Sequence, residues 1–293
     1  MLRQTFCHIP GIGLATERRL WAAGIRSWDD VGTAGPSVLS QRRRDVFIAV
    51  TEESERRLRA GDARFFSRHL PPGERWRLFG HFRDRVAFVD IETTGLSRDS
   101  DDITTIALFD GERVRTYVTG RTIDNFVSDI EDYAVIVTFN GACFDLPFIR
   151  RKWRIALDHP HIDLRFLLRR VGIRGGLKAC ERQCGIERGG LDGVDGYDAV
   201  LLWREYERTG DETVLETLLA YNAMDTVTLE QLMVMAHNAM VRALTGQEEE
   251  TLSLPPEPVI PHHAHGDVIA RVRRAVRNFY HDSTVPFSGG RDI

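Results

Sequence analysis

A short apolar run at residues 86–89 (VAFV) follows a stretch rich in arginine and glutamate, and it predicts the first buried strand of a sheet. Two more strands flank Asp110-Gly111, a dipeptide typical of tight hairpins. A fourth apolar run comes after a helical stretch near 122–132. The predicted strands are residues 86–89, 103–109, 113–118 and 135–138. This order predicts a mixed α/β sheet, antiparallel in its first three strands and flanked by helices.

Further helices are predicted at about 145–153, 164–171 and 212–242, the last of them long. Glycine-rich loops at 172–176 and 185–196 separate the helices between them. No GxGxxG motif follows a strand, and no GxxxxGK[ST] motif occurs in the sequence. The pattern therefore predicts neither a classical dinucleotide-binding fold nor a P-loop.

The net charge of −4 hides an uneven distribution. Residues 1–85 contain 16 arginines, no lysine and 10 acidic residues, so this part carries +6 and the remainder carries −10. A basic arm on an acidic body suits a polyanion that approaches a carboxylate-lined, cation-filled site. The alternative is an ordinary solvated helical surface, and charge alone does not separate the two.

The sequence has no feature of a membrane or secreted protein. No run approaches the roughly 18 to 20 apolar residues that span a bilayer, and the N-terminal residues lack an apolar segment of signal-peptide length. The four cysteines form no CxxC pair and are too few for a disulfide scaffold. We therefore expect reduced thiols and a cytoplasmic location.

Changes in composition predict four parts. Residues 1–35 have the pattern of a compact helical unit, and the Arg-rich residues 36–83 form a helical connector that Pro71-Pro72-Gly73 interrupts. Residues 84–242 form the α/β domain. Residues 243–293 combine a Pro- and Glu-rich linker with a tail, which is predicted to include one amphipathic helix around 268–279.

Two acidic residues, Asp90 and Glu92, stand at the end of the first strand. Residues two apart on a strand point to the same face, so these carboxylates project together. Like charges at short range raise each other's pKa unless a cation neutralises them, and Mg²⁺ and Mn²⁺ prefer such oxygen ligands. An isolated Asp-x-Glu is nevertheless common by chance.

Two later segments add further acids. Asp145 lies in FNGACFDLPF at 139–148, near the start of a helix. In the long helix, Tyr221 and Asp225 are four residues apart and so share one helical face. Taken alone, the tyrosine suits core packing and the aspartate suits a solvent-facing position.

Together these segments resemble the DEDD exonuclease superfamily, the DnaQ-like branch of ribonuclease H-like folds. The three motifs are DIETTG at 90–95, FNG-x2-FD-x-PF at 139–148 and Y-x3-D at 221–225. The tyrosine is typical of the DEDDy subgroup. The sequence is most similar to bacterial YprB-type proteins, which also share the segments at 76–79 and 177–181. The similarity covers about 75–236 well, the N-terminal region loosely, and not the tail.

This resemblance implies a two-metal exonuclease centre with Mg²⁺ or Mn²⁺. Asp90 would bridge both ions, and Glu92, Asp145 and Asp225 would complete their coordination. Two ions roughly 4 Å apart activate a water and stabilise the attacking and leaving oxygens at phosphorus. Tyr221 would orient that water, and the products would be 5′-mononucleotides.

The same resemblance gives candidate substrate contacts. Backbone groups around Thr93 and Thr94 would hold the terminal 3′ nucleotide, and Phe144, in the second motif, is a further candidate. Asn140 is also a candidate, although its residue type suits fixing the second-motif turn better than touching metal. Asp163 either supports the site or, as we favour, is the N-cap of helix 164–171.

The N-terminal residues have their own resemblance, to a helix-hairpin-helix motif. Pro10, Gly11 and Gly13 lie in IPGIG, whose glycines permit a tight turn that exposes backbone N–H groups at a helix start. Such a turn binds phosphates without reading sequence. The alternative is a helical pair that only packs on the catalytic domain.

The leading hypothesis is a metal-dependent 3′→5′ exonuclease acting on single-stranded 3′ ends of nucleic acid. DNA is favoured over RNA only because of the hairpin unit. A non-catalytic nucleic-acid-binding module, a structure-specific endonuclease and a protein-interaction scaffold are the rivals. The sequence leaves the pathway, the processivity and the oligomeric state open.

Overall fold

A computed structural model describes residues 1–33, 39–246, 251–257 and 259–282. The strands of this part of the chain are β1 (Val86–Thr93), β2 (Ile103–Phe109), β3 (Val114–Val118), β4 (Val135–Thr138) and β5 (His161–Asp163). Its helices are α1 (Leu14–Ala22), α2 (Gln41–Arg59), α3 (Ala63–His69), α4 (Phe79–Phe82), α5 (Asn125–Asp129), α6 (Asp145–Trp153), α7 (Leu164–Arg170), α8 (Leu177–Gln183), α9 (Gly196–Thr209), α10 (Glu212–Thr245) and α11 (Gly266–Asp282). The predicted helix around 268–279 corresponds to α11, and the tail after it lies outside the described residues.

The strands form one sheet in the order β3-β2-β1-β4-β5. The pairs β1–β2 and β2–β3 are antiparallel, whereas β1–β4 and β4–β5 are parallel. Parallel neighbours need a crossover, and α5 and α6 lie in the connections that lead to β4 and β5. The predicted mixed sheet, antiparallel in its first three strands, is therefore confirmed.

Two local predictions differ from the structure. The helical stretch predicted near 122–132 is divided into α5 and a 3-10 helix at Ile130–Asp132. The Pro71-Pro72-Gly73 segment does not only interrupt helices, because Pro72 begins a 3-10 helix that runs to Leu78. Proline has no N–H and a fixed φ, which suits the first turn of a helix.

Alternation along β1 divides the core between the two faces of the sheet. Ala87, Val89 and Ile91 belong to the apolar cluster that contains residues of α5 and α6. Val86 and Phe88 belong to a second cluster, which contains much of α10. The next residues on the α10 face are Asp90 and Glu92, where the apolar pattern gives way to acids.

The N-terminal helices share the α10-side core with the sheet. Phe6 and Trp28 are buried in the same cluster as Phe88 and the buried residues of α10. A fully buried arginine, Arg77, donates two hydrogen bonds of 2.9 Å to Glu17 in α1 and one of 2.8 Å to Glu74. Removing one partner of such an ion pair is costly, so this contact ties α1 firmly to the α/β body.

The segment between α10 and α11 has no regular secondary structure where it is described, and it runs along the α/β body. Leu252 and Asn238 of α10 exchange two hydrogen bonds of 2.8 Å, and His262 bonds Thr116 of β3 at 3.0 Å. In α11, Arg273 donates to Asp198 of α9 at 2.8 Å. Among the described helices, none is both long and apolar enough to cross a bilayer.

Candidate functional site

Three carboxylates meet where β1 passes beneath α10. Asp90 and Glu92 come from β1, and Asp225 comes from α10. One oxygen from each lies within 4.8 Å of the oxygens of the other two. The alternation of β1 and the packing of α10 on that face bring these three predicted residues together.

Asn222 holds the first of these acids. Its side-chain amide donates to Asp90 Oδ2 at 2.7 Å, and its amide oxygen accepts from Thr105 Oγ1 at 3.0 Å. Asn222 is completely buried, and it lies three residues before Asp225, on the same face of α10. The amide therefore fixes the orientation of the Asp90 carboxylate relative to β2 and α10.

Asp145 lies beside this group but outside the 4.8 Å cluster. It is the first residue of α6, and its carboxyl accepts hydrogen bonds from its own backbone N–H and from that of Ile91. The paired part of β1 and β4 ends at Phe88 and Val137, so Ile91 lies beyond the end of β4. Asp145 thus occupies the space where β4 stops, and its charge raises the pKa of Asp90 and Glu92.

Burial is the main cause of unusual titration in this cluster. It raises the pKa of Asp90 and Glu92 well above the ordinary range, and the Asp225 charge raises both further. Burial also raises the pKa of Asp145 to about 7. The pKa of Asp225 is raised by burial, although Arg188 and Lys178 act against it. Several carboxylates are buried together here, and the nearby positive charges do not fully balance their negative charge. A bound cation would therefore stabilise the ionised form of these acids.

A buried arginine, Arg188, pairs with Asp225. Arg188 Nη1 donates to Asp225 Oδ1, while Nε and Nη2 hold the carboxylate of Glu181 at 2.6 and 2.8 Å. Thr228 Oγ1 also donates to Glu181, at 2.6 Å. Glu181 is itself buried and accepts two hydrogen bonds from Arg188. Arg188 is therefore fixed in place and orients one oxygen of Asp225.

Tyr221 is buried beside a lysine. Its hydroxyl accepts a hydrogen bond of 2.8 Å from Lys178 Nζ, and Lys178 also donates to the Val194 carbonyl. Burial, followed by the Asp225 and Glu92 charges, raises the pKa of Tyr221, so its hydroxyl keeps its proton. Tyr221 and Asp225 therefore share one face of α10, as predicted, and the charge of Asp225 acts on the Tyr221 hydroxyl.

The donor set suits hard divalent cations. The cluster offers carboxylate oxygens from three residues, with Asp145 adjacent, and the cations beside it are Lys178 and Arg188. Mg²⁺ and Mn²⁺ prefer oxygen ligands of this kind, whereas thiolates are absent from the described cluster. Asp90, Glu92, Asp145 and Asp225 are the residues that would hold such ions.

Residues 87–237 match the family model of the ribonuclease H superfamily. The match spans just over half of the chain and includes all four acids. The chain belongs to the ribonuclease H superfamily. Comparison with curated proteins finds no match. Membership of the ribonuclease H superfamily indicates a nuclease that hydrolyses nucleic acid and uses divalent metal ions.

The loop after β1 is stabilised by hydrogen bonds between its own residues. Thr93 Oγ1 donates to the Gly95 carbonyl at 2.6 Å, and Thr94 Oγ1 donates to Asp101 at 3.1 Å. A Cβ on Gly95 would lie 2.6 Å from the same Asp101 carboxylate, so glycine permits this close approach. Both threonine hydroxyls are used internally, and the backbone N–H of Thr94 donates to the Asp102 carbonyl at 2.9 Å, so only other backbone groups of this loop are candidate substrate contacts.

The second-motif turn explains the roles of Asn140 and Asp163. Asn140 has φ +64°, and its side-chain oxygen accepts from Arg165 at 2.7 Å. Asp163 accepts from the backbone N–H groups of Asn140 at 2.9 Å and Ala142 at 3.1 Å. Asp163 also accepts a hydrogen bond from the backbone N–H of Arg165 at the start of α7. It is therefore the predicted cap of this helix, and it also supports the second-motif turn.

The remaining predicted contacts are divided between two places. Phe144 precedes Asp145 and packs against Phe148, with ring centroids 4.9 Å apart. Pro10, Gly11 and Gly13 are exposed in the turn before α1. Trp21 at the end of α1 and Leu244 near the end of α10 line one shared cavity. The helical rise of about 1.5 Å per residue puts Leu244 about 28 Å along α10 from Asp225.

Sequence reasoning missed Asn222 and Arg188 as residues of the site, and it noted Lys178 only within a shared segment. For Asn222 a signal exists, because it stands three residues before Asp225 on one helix. For Arg188 the sequence has no local signal, since its partners are in α8 and α10. Only the packing of those helices shows the pair.

The Asp145 pKa predicts how the metal-free protein responds to pH. Since its folded pKa of about 7 exceeds the ordinary 3.8, the native state binds more protons than the unfolded state between these values. Stability from Asp145 therefore falls as pH rises from about 4 to about 7, by an order of a few kcal/mol. Urea unfolding in chelator at pH 4 and pH 8 measures this.

The histidines His8 and His161 act in the opposite direction, because burial lowers the pKa of each to about 4. The comparison is therefore between the wild type and Asp145→Asn, which keeps both histidines. We expect the variant to gain stability relative to the wild type at pH 8 and not at pH 4. Equal differences at both pH values would contradict this assignment.

Proposed function

We propose that the protein is a metal-dependent 3′→5′ exonuclease that acts on single-stranded nucleic acid. The observation that carries this proposal is the group of carboxylate oxygens of Asp90, Glu92 and Asp225 within 4.8 Å, with Asp145 adjacent. Asp90, Glu92, Asp145 and Asp225 would hold two Mg²⁺ or Mn²⁺ ions. When bound, two such ions supply an activated water and stabilise the attacking and leaving oxygens at phosphorus.

The protein's own residues keep this centre in one arrangement. Asn222 orients Asp90, and Arg188, fixed by Glu181, orients Asp225. Both supports are buried and hydrogen-bonded, so the carboxylates need little reorganisation when charge develops at the substrate phosphate. Tyr221, whose hydroxyl stays protonated, orients the attacking water beside Asp225.

Substrate contacts follow the edge of the sheet. Backbone groups of the loop at Thr93 and Thr94, other than the paired N–H of Thr94, hold the terminal 3′ nucleotide, and Phe144 and Asn140 are further candidate contacts. The hydrolysis releases 5′-mononucleotides from the 3′ end. DNA is the favoured substrate, and the support for that choice is the N-terminal turn alone.

The N-terminal turn contributes phosphate contacts outside the chemical centre. Gly13 is the N-cap of α1, has no side-chain cap and is exposed. The N–H of Thr16 already donates to the Gly13 carbonyl at 3.0 Å, so the N–H groups of Leu14 and Ala15, which have no intrahelical acceptor, are the ones proposed to bind phosphate. The cation content of residues 1–85 adds to this attraction. The contacts would read no sequence.

Gly13→Asp tests the N-terminal contacts without disturbing the core. A Cβ at Gly13 meets nothing within 4 Å, its φ is −94°, and aspartate is a favourable N-cap. We therefore expect unchanged or slightly higher thermal stability and weaker binding to all sequences. On single strands, the slope of log affinity against log salt should decrease by about 0.7 for each phosphate that the variant no longer binds. Fluorescence anisotropy across a salt series measures the affinity and the slope.

Two controls separate charge from shape. Gly13→Ser adds a neutral cap and should keep most of the affinity. A dinucleotide substrate has a single phosphodiester, which the carboxylate centre would occupy, so wild type and Gly13→Asp should hydrolyse it equally. Equal affinity of all three proteins for long single strands would mean that the N-terminal unit only packs on the domain.

One gel experiment tests the proposed function and its rivals. The substrates are 5′-labelled linear single-stranded DNA, its RNA counterpart and closed circular single-stranded DNA, each with Mn²⁺ or Mg²⁺ and with chelator. We expect the linear strand to shorten from its 3′ end only with metal, and the circle to stay intact. Cleavage of the circle would favour the endonuclease, and binding without hydrolysis would favour the non-catalytic module.

A further inference from the structure

A second cavity lies at the edge of the sheet, against the second-motif loop. It has a volume of about 290 Å³ and is lined by Arg75, Trp76, Ala142, Asp163, Phe166 and Arg170, among others. This volume is at the small end of the range for ligand sites, roughly 300 to 1,000 Å³. It suits one nucleotide rather than a peptide segment.

Two adjacent residues of the wall carry N–H groups without acceptors. Arg75 Nε and Trp76 Nε1 are buried, and neither has a hydrogen-bond partner among the described residues. Trp76 as a whole is only 2% exposed. Because nearly all buried donors in proteins are paired, two such groups at one cavity indicate a ligand with acceptor atoms.

Charge and shape at the rim suit a nucleotide. Arg170 is held by Glu74 at 2.9 Å and by the Gly73 carbonyl, and part of its guanidinium remains open to solvent. Phe166 is 53% exposed. An exposed ring alone is unremarkable, but a ring beside arginines is the composition with which proteins bind single strands.

Asp163 is the one acidic residue that lines the cavity, and its carboxylate is already hydrogen-bonded. Its two oxygens accept from the backbone N–H groups of Asn140, Ala142 and Arg165. It therefore repels a phosphate less than a free carboxylate would. The same contacts join the cavity wall to the loop that leads to Asp145.

We propose that this cavity binds one nucleotide of the substrate strand, upstream of the scissile bond. Phe166 stacks on its base, and Arg75, Trp76 and Arg170 contact its oxygen atoms. The site rests on the proposed function, because it assigns a place to a strand whose 3′ end lies at the carboxylates. A free mononucleotide has the same chemistry, so the test must separate it from the strand.

The test places a single abasic residue at each successive position from the 3′ end of a 12-nucleotide single strand. Binding is measured by anisotropy in chelator on Asp90→Asn protein, so that hydrolysis does not affect the readout. We expect one position at which loss of the base weakens binding by about five- to a hundred-fold, the scale of one stacked base. Adding Phe166→Ala should erase that positional loss, and Phe166→Tyr should retain it.

Phe166 is exposed, so the alanine variant should keep the melting temperature, and a matched melt verifies this. Identical position profiles with and without Phe166 would overturn the proposal. Binding of free deoxyadenosine monophosphate that depends on Phe166, without any positional effect in the strand, would also overturn it. If the wild type hydrolyses the strand but no positional effect is seen, only the proposed nucleotide site in the cavity is refuted. If a positional effect is seen without hydrolysis, only the proposed exonuclease activity is refuted.

Discussion

Replacing Asp90 or Asp225 with asparagine should abolish hydrolysis in a protein that remains folded. Both carboxylates belong to the 4.8 Å cluster, and asparagine keeps their size while removing the charge that would hold a metal ion. Metal-ion catalysis is worth several kcal/mol, and each 1.4 kcal/mol is a factor of ten, so the rate should fall by at least about a thousand-fold. Initial rates on labelled single strands measure the loss.

Glu230→Gln is the matched control for Asp225. Glu230 also lies in α10 and is buried, but it pairs with Arg83 at 2.9 Å and takes no part in the cluster. Its variant should keep near-normal turnover even if it loses some stability. Asp90→Asn should melt no lower than wild type in chelator, because one repelling charge is gone. Near-normal activity of either aspartate variant would remove the metal-centre assignment.

Tyr221→Phe should lower turnover by roughly ten- to a thousand-fold, the scale of one positioning contact. The phenyl ring preserves the packing against α11, since Tyr221 shares an apolar cluster with Val268 and Val272. Only the hydroxyl disappears, together with its 2.8 Å contact with Lys178. Affinity for nucleic acid should therefore barely change. Single-turnover rates and anisotropy separate the two effects.

Tyr117→Phe controls for removal of a buried hydroxyl elsewhere. Tyr117 is also buried, and its hydroxyl donates to Asp129 at 2.8 Å. The variant should lose some stability and keep its turnover. If Tyr221→Phe loses binding with turnover intact, then Tyr221 does not orient the water, and its role is limited to packing and its lysine contact.

The sheet was predictable because its strands carry strong local patterns. The apolar run at 86–89 and the runs that flank Asp110-Gly111 correspond to β1, β2 and β3. The full length of β1 was less evident, since Asp90 and Glu92 interrupt the apolar run. They remain in the strand because β2 pairs with β1 as far as Thr93.

The candidate site was predictable only in part. Strand periodicity predicted that Asp90 and Glu92 project together, and only the resemblance to the DEDD exonucleases implied that Asp225 joins them. The Arg188–Glu181 pair depends on how α8 and the loop after it fold against α10, which no local spacing reveals. The cavity near Phe166 likewise joins residues that are far apart in the sequence.

The boundary predicted at residue 35 also depends on tertiary packing. Glu17 would suit a solvated helix surface by its residue type, yet it is buried against Arg77 and accepts from the backbone N–H of Phe6 at 2.6 Å. Composition cannot show this, because the partner stands 60 residues later. The four-part division therefore stays a prediction, and the shared core favours testing the N-terminal unit by surface substitutions.

Titration of the protein with Mn²⁺ in a calorimeter tests the central claim most directly, because it measures the metal centre without any substrate. At pH 7.5 the wild type and Glu230→Gln should bind about two ions, as the two-metal mechanism requires. Asp90→Asn should lose most of this binding, since it removes one of the clustered charges that would hold the ions. If Asp90→Asn binds Mn²⁺ with the stoichiometry and affinity of the wild type, the carboxylate cluster is not the metal centre.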